Sequence, residues 1–144
     1  MTGKLKKVLI LILLVNIFNM CACYSSKMKD YYSDKNNFIE TTGTITHIAN
    51  NEKEDALYLG FSKDLEPSCE ATDFKIVGKN HTILKQKDIY AKIEKGTKIE
   101  FVTAPKCWGD GYVMPIVAIT VDGEELLAFE EGYANFMTWF EETH

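Results

Sequence analysis

The sequence contains no arginine: all 16 of its basic residues are lysine, against 21 aspartates and glutamates. Arginine is the side chain that contacts guanine and phosphate in a bidentate manner. Three lysines precede residue 23, so the rest of the chain carries 13 lysines against the 21 acidic residues, a net charge of −8. A surface of that sign repels phosphate backbones, and we therefore expect no nucleic acid partner.

The sequence also lacks the patterns that mark a catalytic or metal centre. Its three histidines, His47, His81 and His144, are scattered, and no C-x-x-C or H-E-x-x-H spacing occurs. No G-x-S-x-G element predicts an activated serine, and no cysteine and histidine spacing predicts an activated thiol. We therefore expect no enzymatic activity, no metal and no cofactor.

A hydrophobic run long enough to cross a membrane is missing as well. The apolar run Val8–Met20 has thirteen residues, two of which are asparagine. At about 1.5 Å per residue it spans roughly 20 Å as a helix, short of the ~30 Å hydrocarbon core. Lysines precede this run, and a small residue and a cysteine follow it, as in a secretory leader. Residues 1–23 are therefore predicted to be a signal peptide.

The end of this leader resembles a bacterial lipobox, in which a cysteine is diacylated and becomes the new N-terminus. Cys23 is the better acceptor because Ala22 supplies the small residue before the cut, whereas Cys21 follows Met20 and fits less well. Met20 itself departs from the leucine that is usual upstream. The resemblance implies a protein anchored by fatty acid, such as palmitate, at the outer face of the cytoplasmic membrane. An ordinary secreted protein or an uncleaved anchor is the alternative.

Five stretches of the remaining chain predict β-strands. Residues 24–37 are polar and without periodicity, which predicts a flexible tether before a domain at 38–144. Within that domain, alternation or β-branched composition marks the strands Phe38–Ala49, Ala56–Ser62, Thr72–Gly78, Thr97–Thr103 and Tyr112–Val121. Gly43 lies inside the first, where a glycine lets a long strand bend between the two layers of a small barrel.

Two stretches favour helices. Asn80–Ile93 predicts one helix, capped by its first residue and broken or re-formed near Asp88. Glu130–Glu142 places three aromatic residues and a methionine on one face, which predicts a helix that caps the barrel. Glu124–Leu127 follows a turn at Asp122-Gly123 and is interpreted as the end of the last strand.

The order strand–strand–strand–helix–strand–strand is that of the OB-fold, a five-stranded Greek-key barrel. On the stretches Gly43–Ile48, Ala56–Phe61, Gly96–Phe101 and the long final strand, the chain resembles the small OB-fold-like lipoproteins of Gram-positive bacteria. This resemblance covers about residues 38–129. It implies a mainly β fold: an OB-fold-like barrel with one helix between strands 3 and 4 and a C-terminal capping helix. A β-sandwich is the rival architecture.

The same resemblance implies where a ligand would bind. OB-folds bind ligands on the face of strands two and three, between the first hairpin loop and the loop joining strands four and five. By position that surface includes Tyr58, Lys75, Lys106, Trp108 and Asp110, with His47 as a further candidate. An exposed Trp108 would stack on a sugar or a peptide side chain; alternatively, its ring folds back and closes the barrel mouth.

Cys69 and Cys107 are the two cysteines that remain after cleavage at Cys23. Outside the cell such a pair favours a disulfide. The loops that hold them are expected at opposite ends of an ideal OB barrel, however, and that separation favours two independent thiols. Both alternatives stay open.

These features predict a non-enzymatic surface module that binds a protein, peptide or glycan outside the membrane. A small extracytoplasmic hydrolase that uses Asp110 and a histidine such as His47 is the first alternative. Oligonucleotide binding is the second, and only fold analogy supports it.

Overall fold

The computed structural model describes residues 3–109 and 113–144, without the side chains of residues 3–5 and 18–22. It divides the chain into two units, Met1–Ser33 and Asp34–His144. The first unit contains helix α1, Gly3–Ser33, whose aliphatic side chains between Val8 and Val15 are 49–62% exposed. Among all the described residues, no helix has both the length and the apolar character that a membrane crossing requires.

Helix α1 continues through residues 24–33, where the polar composition predicts a coil. No glycine or proline lies between Lys4 and Thr42, so nothing in the sequence interrupts the helix once it has formed. A short 3-10 helix, Lys35–Asn37, opens the second unit, and the Asp34 carboxylate accepts a hydrogen bond from the Asn36 amide at 2.9 Å. The stretch 24–37 is therefore mostly helical in the structure.

The second unit is built on one sheet, and its described strands number six. They are β1 Ile39–Asn51, β2 Ala56–Phe61, β3 Asp73–Val77, β4 Lys98–Thr103, β5 Met114–Val121 and β6 Glu124–Leu127. Their order is β3-β2-β1-β4-β5-β6. Strand β3 also pairs in parallel with β5, where Phe74 is opposite Met114 and Lys75 is opposite Pro115. That parallel pairing closes five strands into a mixed β-barrel and leaves β6 as an extra strand.

Strand β1 belongs to both layers of the barrel. Its first half, residues 39–44, pairs with β4, and its second half, from Ile45 onward, pairs with β2. Gly43 lies at the transition: a Cβ atom there would be 2.6 Å from Leu65 Cδ2 and 2.7 Å from Phe61 Cδ1. At the glycine expected at the bend, core side chains therefore approach the backbone too closely to leave room for a Cβ atom.

Apolar side chains fill the barrel. The alternation predicted for β2 and β3 matches the burial, since Leu57, Leu59, Phe74 and Ile76 are at most 1% exposed. The rings of Phe61, Phe74 and Phe101 lie with centroids 4.7–5.3 Å apart at the centre. A small barrel packed in this way has a solid core, so any ligand must bind outside it.

The described part of the second unit also contains three α-helices. In chain order, α2 Gly78–Gln86 and α3 Ile89–Lys92 come after β3, and α4 Phe129–Thr143 comes after β6. The cap predicted at Asn80 is wrong: α2 begins two residues earlier, and the buried Asn80 amide donates to Gly132 O at 2.7 Å. Its side-chain oxygen accepts from Asn135 at 3.0 Å, so Asn80 fastens α2 to α4 instead.

Two features of the predicted fold class require correction. The whole chain is 41% helix and 33% strand, so it is not mainly β, largely because α1 is 31 residues long. Glu124–Leu127 does not finish β5 but turns back as the antiparallel strand β6. The reason is the turn, where Asp122 and Gly123 both have positive φ, of 50° and 78°. Two consecutive positive φ values make a tight hairpin.

Candidate functional site

The loop 62–72 between β2 and β3 lies at the same end of the barrel as residues 104–109, a described part of the connection between β4 and β5. Each loop leads into one of two strands, β3 and β5, that run in parallel beside each other. Glu70 joins the described parts of the two loops: its backbone N–H donates to Pro105 O at 3.0 Å, and its carboxylate accepts from the Cys107 N–H at 2.8 Å. The expectation that these loops lie at opposite ends is wrong. We refer to residues 62–72 and 104–109 as the loop end.

Trp108 is covered at the loop end. Its side chain is 7% exposed, and the ammonium of the exposed Lys106 lies 4.1 Å from the centroid of its ring. A lysine at that distance is a cation–π contact, typically worth about 0.5–2 kcal/mol. The ring is therefore not an open stacking surface in this structure. Asp110, the fifth predicted ligand residue, lies outside the described residues.

The two cysteines of the loop end both carry thiols in this structure. Cys69 Sγ lies 4.0 Å from Pro67 O, and Cys107 Sγ lies 3.9 Å from Gly109 O, so each thiol is directed at a carbonyl of its own loop. Both side chains are half-buried. Burial raises the pKa of the Cys69 thiol, which keeps it protonated at neutral pH.

Tyr58 and Lys75 are directly opposite each other on β2 and β3. The Tyr58 hydroxyl donates to Glu54 Oε2 at 2.5 Å. That hydrogen bond, followed by burial and the charge of Glu54, raises the pKa of Tyr58 to about 12. Burial lowers the pKa of Lys75, and the charge of Glu54 opposes the change. These two predicted ligand residues therefore interact with Glu54, which lies in the first hairpin turn.

Helix α4 contacts this strand pair through the ring of Trp139. The Lys75 ammonium is 4.8 Å from the centroid of the Trp139 ring. A Cβ atom added at Gly78, where φ is +54°, would be 3.2 Å from Trp139 Cδ1. One side of the Trp139 ring also stacks on Phe136, with the planes 26° apart. The face expected to bind a ligand is thus in part a packed contact between the barrel and its C-terminal helix.

His47 lies apart from this contact. It is an exposed residue of β1, opposite Gly60 in the register of β2. An exposed strand histidine of this kind needs no ligand to satisfy it.

A polar cluster around a buried histidine was missed in the sequence. His81 is 1% exposed; its Nδ1 lies 2.9 Å from Asp55 Oδ1, and its Nε2 lies 2.6 Å from the Tyr90 hydroxyl. Lys85 Nζ adds a further contact to Asp55 Oδ1 at 3.0 Å. The cluster joins the β1–β2 turn, α2 and α3. Its members come from three separate elements, so only the folded topology brings them together.

The hydrogen bonds of this cluster hold elements of the fold together. Burial alone would raise the pKa of Asp55, but hydrogen bonds from Lys85 and His81 outweigh it and lower that pKa. Burial and the charges of Asp55 and Glu52 raise the pKa of Tyr90. An activated tyrosine nucleophile needs a lowered pKa, and Tyr90 has the opposite shift. The cluster therefore fixes three elements and does not prepare a nucleophile.

No metal-binding group of three or more His, Cys, Asp or Glu side chains occurs in the described stretches 3–109 and 113–144. A shallow depression of about 700 Å³ lies beside the turn from α3 to β4, with Lys92, Lys95, Lys98, Glu94 and Asp122 among its lining residues. The Lys92 ammonium is held by Glu124 at 2.5 Å. Charges of both signs surround this depression, so it has no strong preference for a charged ligand.

Comparison with known proteins gives no relative: no family model, curated protein or solved structure matches this chain.

Proposed function

We propose that this protein is a membrane-anchored extracytoplasmic lipoprotein, acylated on Cys23, whose barrel binds a protein, peptide or glycan without catalysing a reaction. One observation carries the proposal. A basic, apolar leader that ends at Ala22-Cys23 precedes a compact unit, Asp34–His144, that has its own closed barrel and core. Two acyl chains hold a protein stably at a membrane surface, which a single chain does not. The location would be the outer face of the cytoplasmic membrane.

The path of the strands supports an OB-type barrel. Going round the barrel, each strand pairs with the next in the circuit β1-β2-β3-β5-β4, and β4 pairs back with β1. A long first strand shared by two layers and a parallel closure between the third and fifth strands suit a five-stranded Greek-key barrel. OB-folds bind oligosaccharides and other polymers on their outer surface. The strongly acidic domain favours a partner other than nucleic acid.

The loop end is the surface we assign to binding. Tyr58 and Lys75 are in contact with Glu54 and Trp139, so much of the strand face is already occupied. At the loop end, by contrast, the exposed Lys106 ammonium covers a buried indole. A ligand that displaced Lys106 would gain an aromatic surface, which suits a sugar ring or an apolar peptide side chain.

Metabolic labelling with radioactive palmitate tests the anchor. We expect the wild-type protein and the Cys21→Ala variant to be labelled and to enter the detergent phase on phase partitioning. The Cys23→Ala variant should be unlabelled. If the Cys23→Ala variant is labelled and the Cys21→Ala variant is not, the acylated residue is Cys21 instead of Cys23. Unlabelled wild-type protein recovered from the medium would contradict the proposed anchoring.

Photo-crosslinking on intact cells tests the binding surface. A photoreactive amino acid at position 106 should give a high-mass adduct, sensitive to protease if the partner is a protein and to a muramidase if it is cell-wall glycan. Lys87 is the matched control because it is an exposed lysine at the end of α2, outside the loop end. Equal adducts from positions 87 and 106 would contradict a specific surface at the loop end.

A further inference from the structure

We infer that Cys69 and Cys107 form a reversible disulfide that ties together the two loops of the loop end. The sequence has four cysteines, and these two are the only ones in the unit Asp34–His144. Each is on a different loop, and the loops meet at one end of the barrel. The pair therefore joins segments that are distant in sequence but adjacent in the fold.

Glu70 establishes that adjacency. It directly follows Cys69, and its backbone N–H donates to Pro105 O at 3.0 Å. Its side chain then reaches the backbone N–H of Cys107 itself, at 2.8 Å. A few residues farther on, Phe74 and Met114 are paired in the parallel closure of the barrel. These contacts follow Cys69 and flank Cys107, and they hold the two loops together before any bridge forms.

The thiols are held by weak contacts only, so their side chains can turn toward each other and back. Each Sγ atom is about 4 Å from a carbonyl of its own loop, a weak contact for a thiol. Rotation of the two side chains releases these contacts. A disulfide needs Cα atoms roughly 4.4–6.8 Å apart, so the inference requires the two loops, which Glu70 already joins, to bring Cys69 and Cys107 to that separation. Both side chains are half-buried, so a small oxidant can reach them.

The reaction is a thiol–disulfide exchange with a low-molecular-weight disulfide or an extracytoplasmic disulfide oxidoreductase as the oxidant. The thiolate of one cysteine attacks a sulfur of the oxidant, forms a mixed disulfide and releases one thiolate. The thiolate of the second cysteine then attacks the protein sulfur of the mixed disulfide and releases the second thiolate. Two S–H bonds of the protein are replaced by one S–S bond, and the two electrons reduce the oxidant to two thiols.

The bridge would act on the surface that surrounds Lys106 and Trp108. Cys107 lies between these two residues, so a covalent link at Cys107 restricts their movement relative to the β2–β3 loop. The effect on ligand binding rests on the proposed function, but the formation of the bridge does not. A protein that is not lipidated, or that binds nothing, would still form the disulfide.

Titration of the full-length chain with glutathione buffers tests the inference. The chain carries Cys21→Ser and Cys23→Ser and is kept in detergent, so that only the loop-end thiols react. We expect a maleimide-polyethylene glycol reagent to add two labels to the reduced protein and none to the oxidised protein. Mass spectrometry should show the loss of two hydrogens. On this background, Cys69→Ser and Cys107→Ser should each leave one thiol that forms a mixed disulfide with glutathione.

Denatured protein supplies the control for adjacency. Because the folded loops hold the thiols close together, the effective concentration of one thiol toward the other should be at least about tenfold higher than in concentrated urea. An oxidised protein that carries one glutathione on each cysteine would overturn the inference. So would the same effective concentration in folded and denatured protein, because folding would then not bring the thiols together.

Discussion

At the scale of single residues, Gly132 has less room for a side chain than Gly43, Gly60 or Gly78. A Cβ atom at this position would lie 1.8 Å from the carbonyl oxygen of Val117 in β5. Backbone of α4 therefore lies directly against backbone of β5, with no side chain between them. Replacing a helical glycine by alanine normally stabilises a helix by up to about 1 kcal/mol. Here the steric conflict is with backbone, which cannot rotate away.

We expect Gly132→Ala to destabilise the protein. Overpacking of a tight contact commonly costs about 1–3 kcal/mol, more than the gain in helix propensity. Urea unfolding followed by circular dichroism measures the change. Ala134→Ser, on the exposed side of the same helix, is the control and should change stability by less than about 0.5 kcal/mol. A Gly132→Ala variant as stable as the wild type would show that α4 does not lie against Val117.

Tyr58 makes the stability of the fold depend on pH in the alkaline range. Its pKa is raised to about 12, first by the hydrogen bond to Glu54. The folded state therefore binds the phenolic proton more tightly than the unfolded chain does, because tyrosines in an unfolded chain have an ordinary pKa of 10.0. This contribution to stability is complete below pH 10 and is lost as the pH rises toward 12.

Glu54→Gln should weaken that dependence. The amide cannot attract the phenolic proton as a carboxylate does, so the pKa of Tyr58 should fall toward its ordinary value. Unfolding free energies measured at intervals from pH 9 to pH 12 should decline less steeply in the variant than in the wild type. Glu66→Gln, at an exposed residue of the β2–β3 loop, should leave the wild-type slope unchanged. Parallel slopes for wild type and Glu54→Gln would contradict the Tyr58–Glu54 hydrogen bond.

At the scale of elements, α4 is held to the barrel partly by Lys75. Its ammonium faces the Trp139 ring, and no ion pair in the described residues includes Lys75. Burial lowers its pKa, which means that the unfolded chain binds this proton more tightly. Stability therefore rises with pH as Lys75 loses its proton below 10.5, the ordinary pKa of a lysine.

Lys75→Met should stabilise the barrel–helix contact at neutral pH. Methionine keeps the length of the stem and a favourable contact with the indole, and it removes the partly buried charge. Lys75→Ala should destabilise the protein, because it also removes the packing against Trp139. Thermal unfolding of both variants at pH 7 tests this, with Lys79→Met on the exposed side of α2 as the control. A Lys75→Met variant less stable than Lys75→Ala would contradict the proposed cost of the charge.

Local patterns predict single elements well and their mutual arrangement poorly. The alternation of Leu57, Leu59 and Phe61 predicts β2 because the two faces of a strand are set by neighbouring residues alone. The position of the loop end depends on the parallel pairing of β3 with β5, which no local pattern contains. The His81 cluster likewise joins three elements. Helix α1 extends past the leader because a helix can continue through polar residues that have no stripe to predict it.

At the scale of the whole molecule, the inferred disulfide would change stability as well as the loops. Bridging Cys69 to Cys107 closes a segment of roughly 40 residues, for which the loss of chain entropy in the unfolded state corresponds to about 4 kcal/mol. Strain in the adjusted loops would reduce that figure. The bridge is thus a sizeable addition to a typical domain stability of about 5–15 kcal/mol.

We expect the oxidised chain to unfold at a higher urea concentration than the reduced chain. The comparison uses the variant that retains only the loop-end cysteines, with and without a reducing agent. Cys107→Ser on the same background is the control and should show the same midpoint under both conditions. An oxidised midpoint equal to or below the reduced one would show that native strain cancels the entropic gain.

The hairpin that ends at β6 affects whether copies of this protein associate through the edges of their sheets. Barrel closure occupies both edges of the five strands, so β6 supplies the outer edge of the sheet among the described residues. That edge is only four residues long and begins with two exposed glutamates, Glu124 and Glu125. A short, acidic edge is a poor template for strand addition. Molecules concentrated side by side would therefore resist joining their sheets into fibrils.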